Sequence, residues 1–287
     1  MKPMKRFLLF FTLLAATLAP SVALAHHEAI FGFQSALVLS APAFVSLQGF
    51  SRQTGISSDR TQETTFALSG GVTPFSSVPL SFTLVMPASN ISEIDRSTSK
   101  TAPEDAVVGA RYRFDLTSLQ KKFERDGNYV LVMAGAEFPN GSMDHDAFHG
   151  PMDFMFAGVG ALEISAFTVT GFGVYRLHGA SGGDKPGNQL FFGGGFGYTP
   201  WDDPVTEKLV SLQLGWSYET YFRDREAGVT VQDSGGSELL LHPTLVMGPG
   251  SNLLLFALVS VPVARSFRDP LQQDRWRVGT GVTYLFR

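Results

Sequence analysis

From about residue 43 onward, apolar and polar residues alternate with a period of two over segments of about ten residues, and helix-period patterns are scarce. In Glu104 to Asp115, Val108, Ala110, Tyr112 and Phe114 share one face while Gly109, Arg111 and Arg113 share the other. The last segment repeats this, with Trp276, Val278, Val282, Tyr284 and Phe286 opposite Arg275, Arg277, Gly279, Gly281 and Thr283. Between Leu209 and Phe222, Leu212, Leu214, Trp216, Tyr218 and Phe222 alternate with Ser211, Gln213, Gly215, Ser217, Glu219 and Tyr221. Its aromatic residues gather toward one end, as an interfacial girdle requires.

The pattern predicts strands over 43–54, 62–73, 78–88, 104–115, 128–139, 152–164, 166–178, 188–199, 208–222, 237–247, 252–263 and 274–286. Their connections alternate in length. Residues 73–77, the neighbourhood of 165, 200–206 and 248–251 are brief. Residues 89–103, 140–151, 179–187, 223–236 and 265–273 are long and polar. Outer-membrane barrels place short turns on the periplasmic side and long loops outside. One connection breaks the rule: 116–127 belongs with the short set yet is long and charged, with room for a short helix.

The N-terminus reads as an export signal. Lys2, Lys5 and Arg6 precede an apolar stretch from Phe7 to Ala19, followed by Pro20 and the small pair Ala23 and Ala25. Cleavage after Ala25 makes 1–25 a signal peptide and leaves 262 of the 287 residues. Nothing later holds 18 consecutive apolar residues; the nearest approach, Asn252 to Ala264, is broken by Ser260 and Pro262. Residues 26–42, with Phe31, Phe33, Leu37, Val38 and Leu39, form a lead-in or a plug, and 43–287 form the barrel.

Hydrophobic residues make up 44% of the chain and charged residues 17%, too apolar for disorder. Cysteine is absent, which removes disulfide scaffolds and thiol chemistry. Without Lys2, Lys5 and Arg6 the 22 basic residues fall to 19 against 26 acidic, a net −7, so nothing favours a nucleic-acid partner. A soluble β-sandwich also alternates, but twelve strands with apolar faces and arginines opposite suit lipid outside and water inside better. Backbone satisfaction in lipid then demands closure. The expected fold is all-β, a closed antiparallel transmembrane β-barrel of about twelve strands in the bacterial outer membrane, surrounded by its lipid.

Several short motifs occur in a familiar order: GARYRF over Gly109 to Phe114, AEFPNG over Ala136 to Gly141, FTVTGFGVY over Phe167 to Tyr175, HPTLVMGP over His242 to Pro249 and VGTGVTYLF over Val278 to Phe286. Together they resemble a bacterial outer-membrane family labelled as meta-pathway phenol-degradation or transporter-like proteins. The resemblance spans most of the mature chain. It implies a barrel and the uptake of small, including aromatic, molecules; no catalytic residues are carried over. Phe286, with Tyr284 two residues earlier, resembles the terminal aromatic signature read by the barrel-assembly machinery, from which Arg287 departs by following the phenylalanine.

Alternation assigns Arg111, Arg113, Glu137, Glu163, Arg176, Glu219, His242, Arg275 and Arg277 to the lumen, since a charge facing lipid at mid-strand costs about 2 to 4 kcal/mol. Two readings of that set stay open. One is a charge-lined conduit whose arginines favour anionic or polar solutes; the other is a structural ladder of Arg–Glu pairs filling a narrow barrel.

His26 and His27, and Asp144, His145, Asp146 and His149, are weak metal candidates without a defined ligand spacing, so neither a metal nor another cofactor is expected. His242 near Ser237 or Ser251 invites a hydrolase reading, but no nucleophile elbow and no third orienting group accompany it. Gly193, Gly194, Gly195 and Gly197 alternate with Phe192, Phe196 and Tyr198, which fits close packing or barrel curvature better than a phosphate loop. The function expected is passive passage of small solutes, not catalysis. The alternatives are a non-conducting structural or surface-interaction barrel and a lipid-acting enzyme.

Overall fold

The structure, a computed structural model, describes residues 42–286 apart from 57–58, 76, 94–97, 104, 120–127, 140–151, 182, 204–207, 251 and 270–272. The expected signal peptide, nearly all of the lead-in, and His26, His27, Asp144, His145, Asp146 and His149 lie outside the described residues.

The strands are β1 (Ala43–Ile56), β2 (Asp59–Val72), β3 (Leu80–Glu93), β4 (Thr98–Pro103), β5 (Ala106–Asp115), β6 (Tyr129–Phe138), β7 (Asp153–Ile164), β8 (Phe167–Leu177), β9 (Gln189–Asp203), β10 (Lys208–Tyr221), β11 (Arg225–Glu226), β12 (Val229–Thr230), β13 (Gly236–Gly250), β14 (Leu253–Arg265) and β15 (Asp274–Phe286). Twelve of them form one antiparallel meander that closes on itself. β2 pairs with both β1 and β3, while β1 also pairs with β15, from Ala43 opposite Phe286 to Thr54 opposite Asp274. Among the described residues each of these twelve strands is paired on both sides, which is what a bilayer demands of a β-structure.

The remaining three strands belong to connections. β4 pairs back on β3 from Ala88–Pro103 to Glu93–Thr98, so the expected long loop over 89–103 is largely a β-ribbon continuing the wall. β11 and β12 form a small hairpin inside the β10–β13 connection. The β7–β8 turn is two residues long and needs Ser165 at φ 57°, in the left-handed region. Two connections break the length rule. The β1–β2 turn lies at the long-loop end yet is short, and the β5–β6 connection lies at the short-turn end yet is long; 117–119 of the latter take up helical backbone.

Alternation sorts side chains as the pattern predicts. Outward positions keep large apolar groups exposed, among them Leu84, Val132, Val169, Leu212, Leu214 and Val261. Aromatic side chains flank this belt: Phe114, Phe167, Tyr198 and Phe286 at the short-turn end, Phe138, Phe154, Tyr175 and Phe192 toward the other. The inward faces of β2 to β9 form an apolar cluster including Val85, Val107, Leu131, Met133, Met155 and Val159. On the opposite wall Phe50 and Phe256 stack with ring centroids 6.4 Å apart. Their rings lie over Gly279 and Gly281, where an added Cβ would come within 2.6 and 2.2 Å of the rings, so only glycine fits there. The Gly193 to Gly197 run lies within β9; a Cβ at Gly193 would meet the Trp216 carbonyl at 2.1 Å, which explains it by close strand approach.

Candidate functional site: the barrel lumen

Charged side chains concentrate at the long-loop end of the lumen. Arg277 on β15 extends past β14 to β13 and β10. Its Nη1 and Nη2 donate to Glu219 Oε1 and Oε2 at 3.0 and 2.7 Å, and Nη2 also donates to Glu238 Oε1 at 2.5 Å. Its Nε bonds Asp274. Arg52 pairs with Glu63, its direct partner across β1 and β2, and lies 3.7 Å from Asp274. Five of the six charged groups keep 10% or less of their side-chain surface exposed, Glu219 and Glu238 only 2%, and Arg52 keeps 21%. Guanidinium forks and carboxylates match geometrically, so charges that are costly to desolvate singly are satisfied together.

A second group stands on β6, β7 and β8. Arg176 donates to Glu137 at 2.6 Å and to Asp153 at 3.1 Å, and Asp153 also takes bonds from His178 Nδ1 at 2.6 Å and the Gly179 N–H at 2.9 Å.

Of the residues assigned to the lumen from the sequence, Arg111, Arg113, Glu137, Glu163, Arg176, Glu219, His242 and Arg277 point inward. Arg275 does not. The register shifts between Gln53 and Thr54, so Gln53 faces Trp276 and Thr54 faces Asp274; Arg275 is the extra residue and is exposed. Asp274 takes the inward place and is fully buried. Arg277 and Arg176 are held by carboxylates, and Arg113 bonds Asp115 at 2.6 Å while lying 4.7 Å over the Tyr129 ring. These arginines form the ion-paired ladder and not a bare cationic lining. The backbone N–H of Glu163 donates to Asn128 Oδ1 at 2.6 Å. Arg52, Glu63, Glu238, Asp274, Asp153 and His178 escape the sequence reading because they sit at strand ends, where charge reads as loop.

Ser251 lies outside the described residues, and His242 does not bond Ser237. Its Nε2 lies 2.7 Å from Ser217 Oγ and its Nδ1 2.7 Å from Ser260 Oγ. Ser217 gives its one hydroxyl proton to Glu219 Oε1 at 3.0 Å. His242 Nε2 therefore carries the proton in its bond to Ser217, and Nδ1 accepts from Ser260. A histidine so placed orients the wall and has no lone pair free to activate Ser217 as a nucleophile.

Arg111 differs from the other inward arginines. It is 6% exposed, its guanidinium lies 5.1 Å over the Phe44 ring, its Nε has no hydrogen-bond partner, and no carboxylate pairs with it among the described residues.

No family model and no curated protein matches the chain, so the family named for phenol degradation stays a resemblance. Solved structures do match. The COG4313 outer membrane channel from Pseudomonas putida F1 superposes with a TM-score of 0.65 at 10% identity, covering 86% of this chain and 96% of that one. The β domain of the Bordetella autotransporter BrkA superposes at 0.51 and 11% identity, covering 85% and 100%. Likeness at such identities is one of fold, and the fold is that of outer-membrane barrels.

Proposed function

We propose that this chain is an outer-membrane channel through which small solutes, apolar and aromatic ones included, cross passively, with its short-turn end in the periplasm. The observation that carries the reading is the chemistry of the inward wall. Leu131, Met133, Met155 and Val159 face inward on one side and Phe50, Phe256 and Leu258 on the other, with Ser46, Ser69 and Ser211 among them. A barrel that serves only as an anchor has no need of stacked rings inside it, whereas an apolar solute does. The signal peptide expected over 1–25 and the Tyr284–Phe286 pair, rings 5.0 Å apart, fit export and insertion by the barrel-assembly machinery.

Single-channel recording of the refolded protein in a planar bilayer tests the reading, with defined conductance steps expected and small aromatic solutes expected to interrupt them. The charged crossbar at the long-loop end favours a second reading, a closed barrel that serves structure or surface contact. A folded, heat-modifiable barrel that never conducts would establish that one instead.

A further inference from the structure

We propose that Arg111 is the recognition point for a small monocarboxylic acid with an apolar or aromatic body, bound at the short-turn end of the lumen. The inference rests on the channel reading for the solute's access, and on observations of its own. Every other inward arginine described above has a carboxylate in contact; Arg111, 6% exposed and with an unpartnered Nε, has none among the described residues. A desolvated guanidinium without a counter-charge is an expensive arrangement, and an anionic ligand relieves it.

The surroundings are shaped for such a ligand. The Phe44 ring covers one face of the guanidinium from 5.1 Å. That ring is itself seated over Gly71, where a Cβ would come within 2.3 Å of it. A carboxylate that accepts two parallel N–H bonds from the guanidinium fork would give Nε the partner it lacks. Beside Arg111, Gly109 and Gly135 face each other directly in register and contribute no side chain, while the Thr83 hydroxyl lies against Gly109 from β3. Val107, Met133 and Glu137 border the two glycines, the Glu137 carboxylate being held by Arg176, and the ligand's flat ring or short alkyl body is placed against Val107 and Met133.

The test is binding, measured apart from transport. The full chain in detergent micelles is titrated with 4-fluorobenzoate and, separately, with its neutral amide, following the fluorine resonance. The carboxylate is expected to bind saturably and at least about tenfold more tightly than the amide, the discrimination of one charge-assisted contact. Arg111→Gln is expected to abolish that difference, and Arg111→Lys to reduce it. Equal affinity for acid and amide in the wild-type chain overturns the proposal, as does an undiminished preference in refolded Arg111→Gln; if that variant does not fold, the wild-type pair decides alone. A chain that prefers the carboxylate but passes no current keeps this inference and sinks the channel. A chain that conducts yet treats acid and amide alike does the reverse.

Discussion

Arg277 and Glu219 are joined by two parallel N–H···O bonds of 3.0 and 2.7 Å that cross the end of the lumen from β15 to β10. Their side chains are 10% and 2% exposed, so water does little to screen either charge. Removing one partner strands the other. Arg277→Met is expected to lower stability by about 3 to 5 kcal/mol, because Glu219, Glu238 and Asp274 lose their shared cation. Urea unfolding from vesicles, followed by heat-modifiable gel mobility, reads the loss. A variant as stable as the wild type would mean the crossbar contributes nothing.

The two faces of β10 predict opposite tolerance. Leu214 is 57% exposed on the outward face at mid-strand, whereas its neighbour Gln213 is 8% exposed on the inward face. Leu214→Arg is expected to cost about 2 to 4 kcal/mol in a bilayer. Gln213→Glu should cost less than half of that in the same assay. The reverse order would turn the barrel inside out.

A paired substitution probes the ring seated on glycine. Gly281→Val forces its new Cβ against the Phe256 ring, which stands within 2.2 Å of that position. Destabilisation of about 1 to 3 kcal/mol is expected. Phe256→Ala in the same chain should recover part of it, and the double-mutant cycle measures how much of the strain runs through this one contact. Additive effects would show that the two positions do not meet.

Phe286→Ala separates assembly from stability. The side chain is 48% exposed and packs on Tyr284 at the lipid side. Refolding in detergent is expected to change little, while the yield of inserted barrel in cells should fall several-fold. Equal yields would show that this aromatic pair is not read during insertion.

Period-two alternation made the twelve-stranded wall legible, because a strand between lipid and lumen has no other way to distribute its side chains. Where the reading stopped short, the causes are local. β3 runs on to Glu93 because Asn90 and Ser92 belong to a ribbon paired with β4, beyond the apolar belt that marks a strand in sequence. Arg275 was assigned inward because a bulge is invisible to parity counted along one strand; its existence depends on β1 opposite. The ladder between Arg277, Glu219 and Glu238 joins residues whose proximity follows only from closure and stagger. Arg111, by contrast, was named from its own strand; what the structure adds is that its charge stands apart.

The seam where β1 meets β15 sets how this chain can be made. Thr283 Oγ1 donates to Ser46 Oγ at 2.8 Å across a separation of 237 residues, and Ala43 lies opposite Phe286. Contacts of such sequence separation form late in folding, since the chain between must be ordered before they can repay its loss of freedom. Until that moment two rows of backbone donors and acceptors stand open, each a template for a foreign strand. Loss of β15 alone would leave β14 and β1 as permanent edges, so a chain shortened by this one strand is expected to aggregate and not to form a smaller ring.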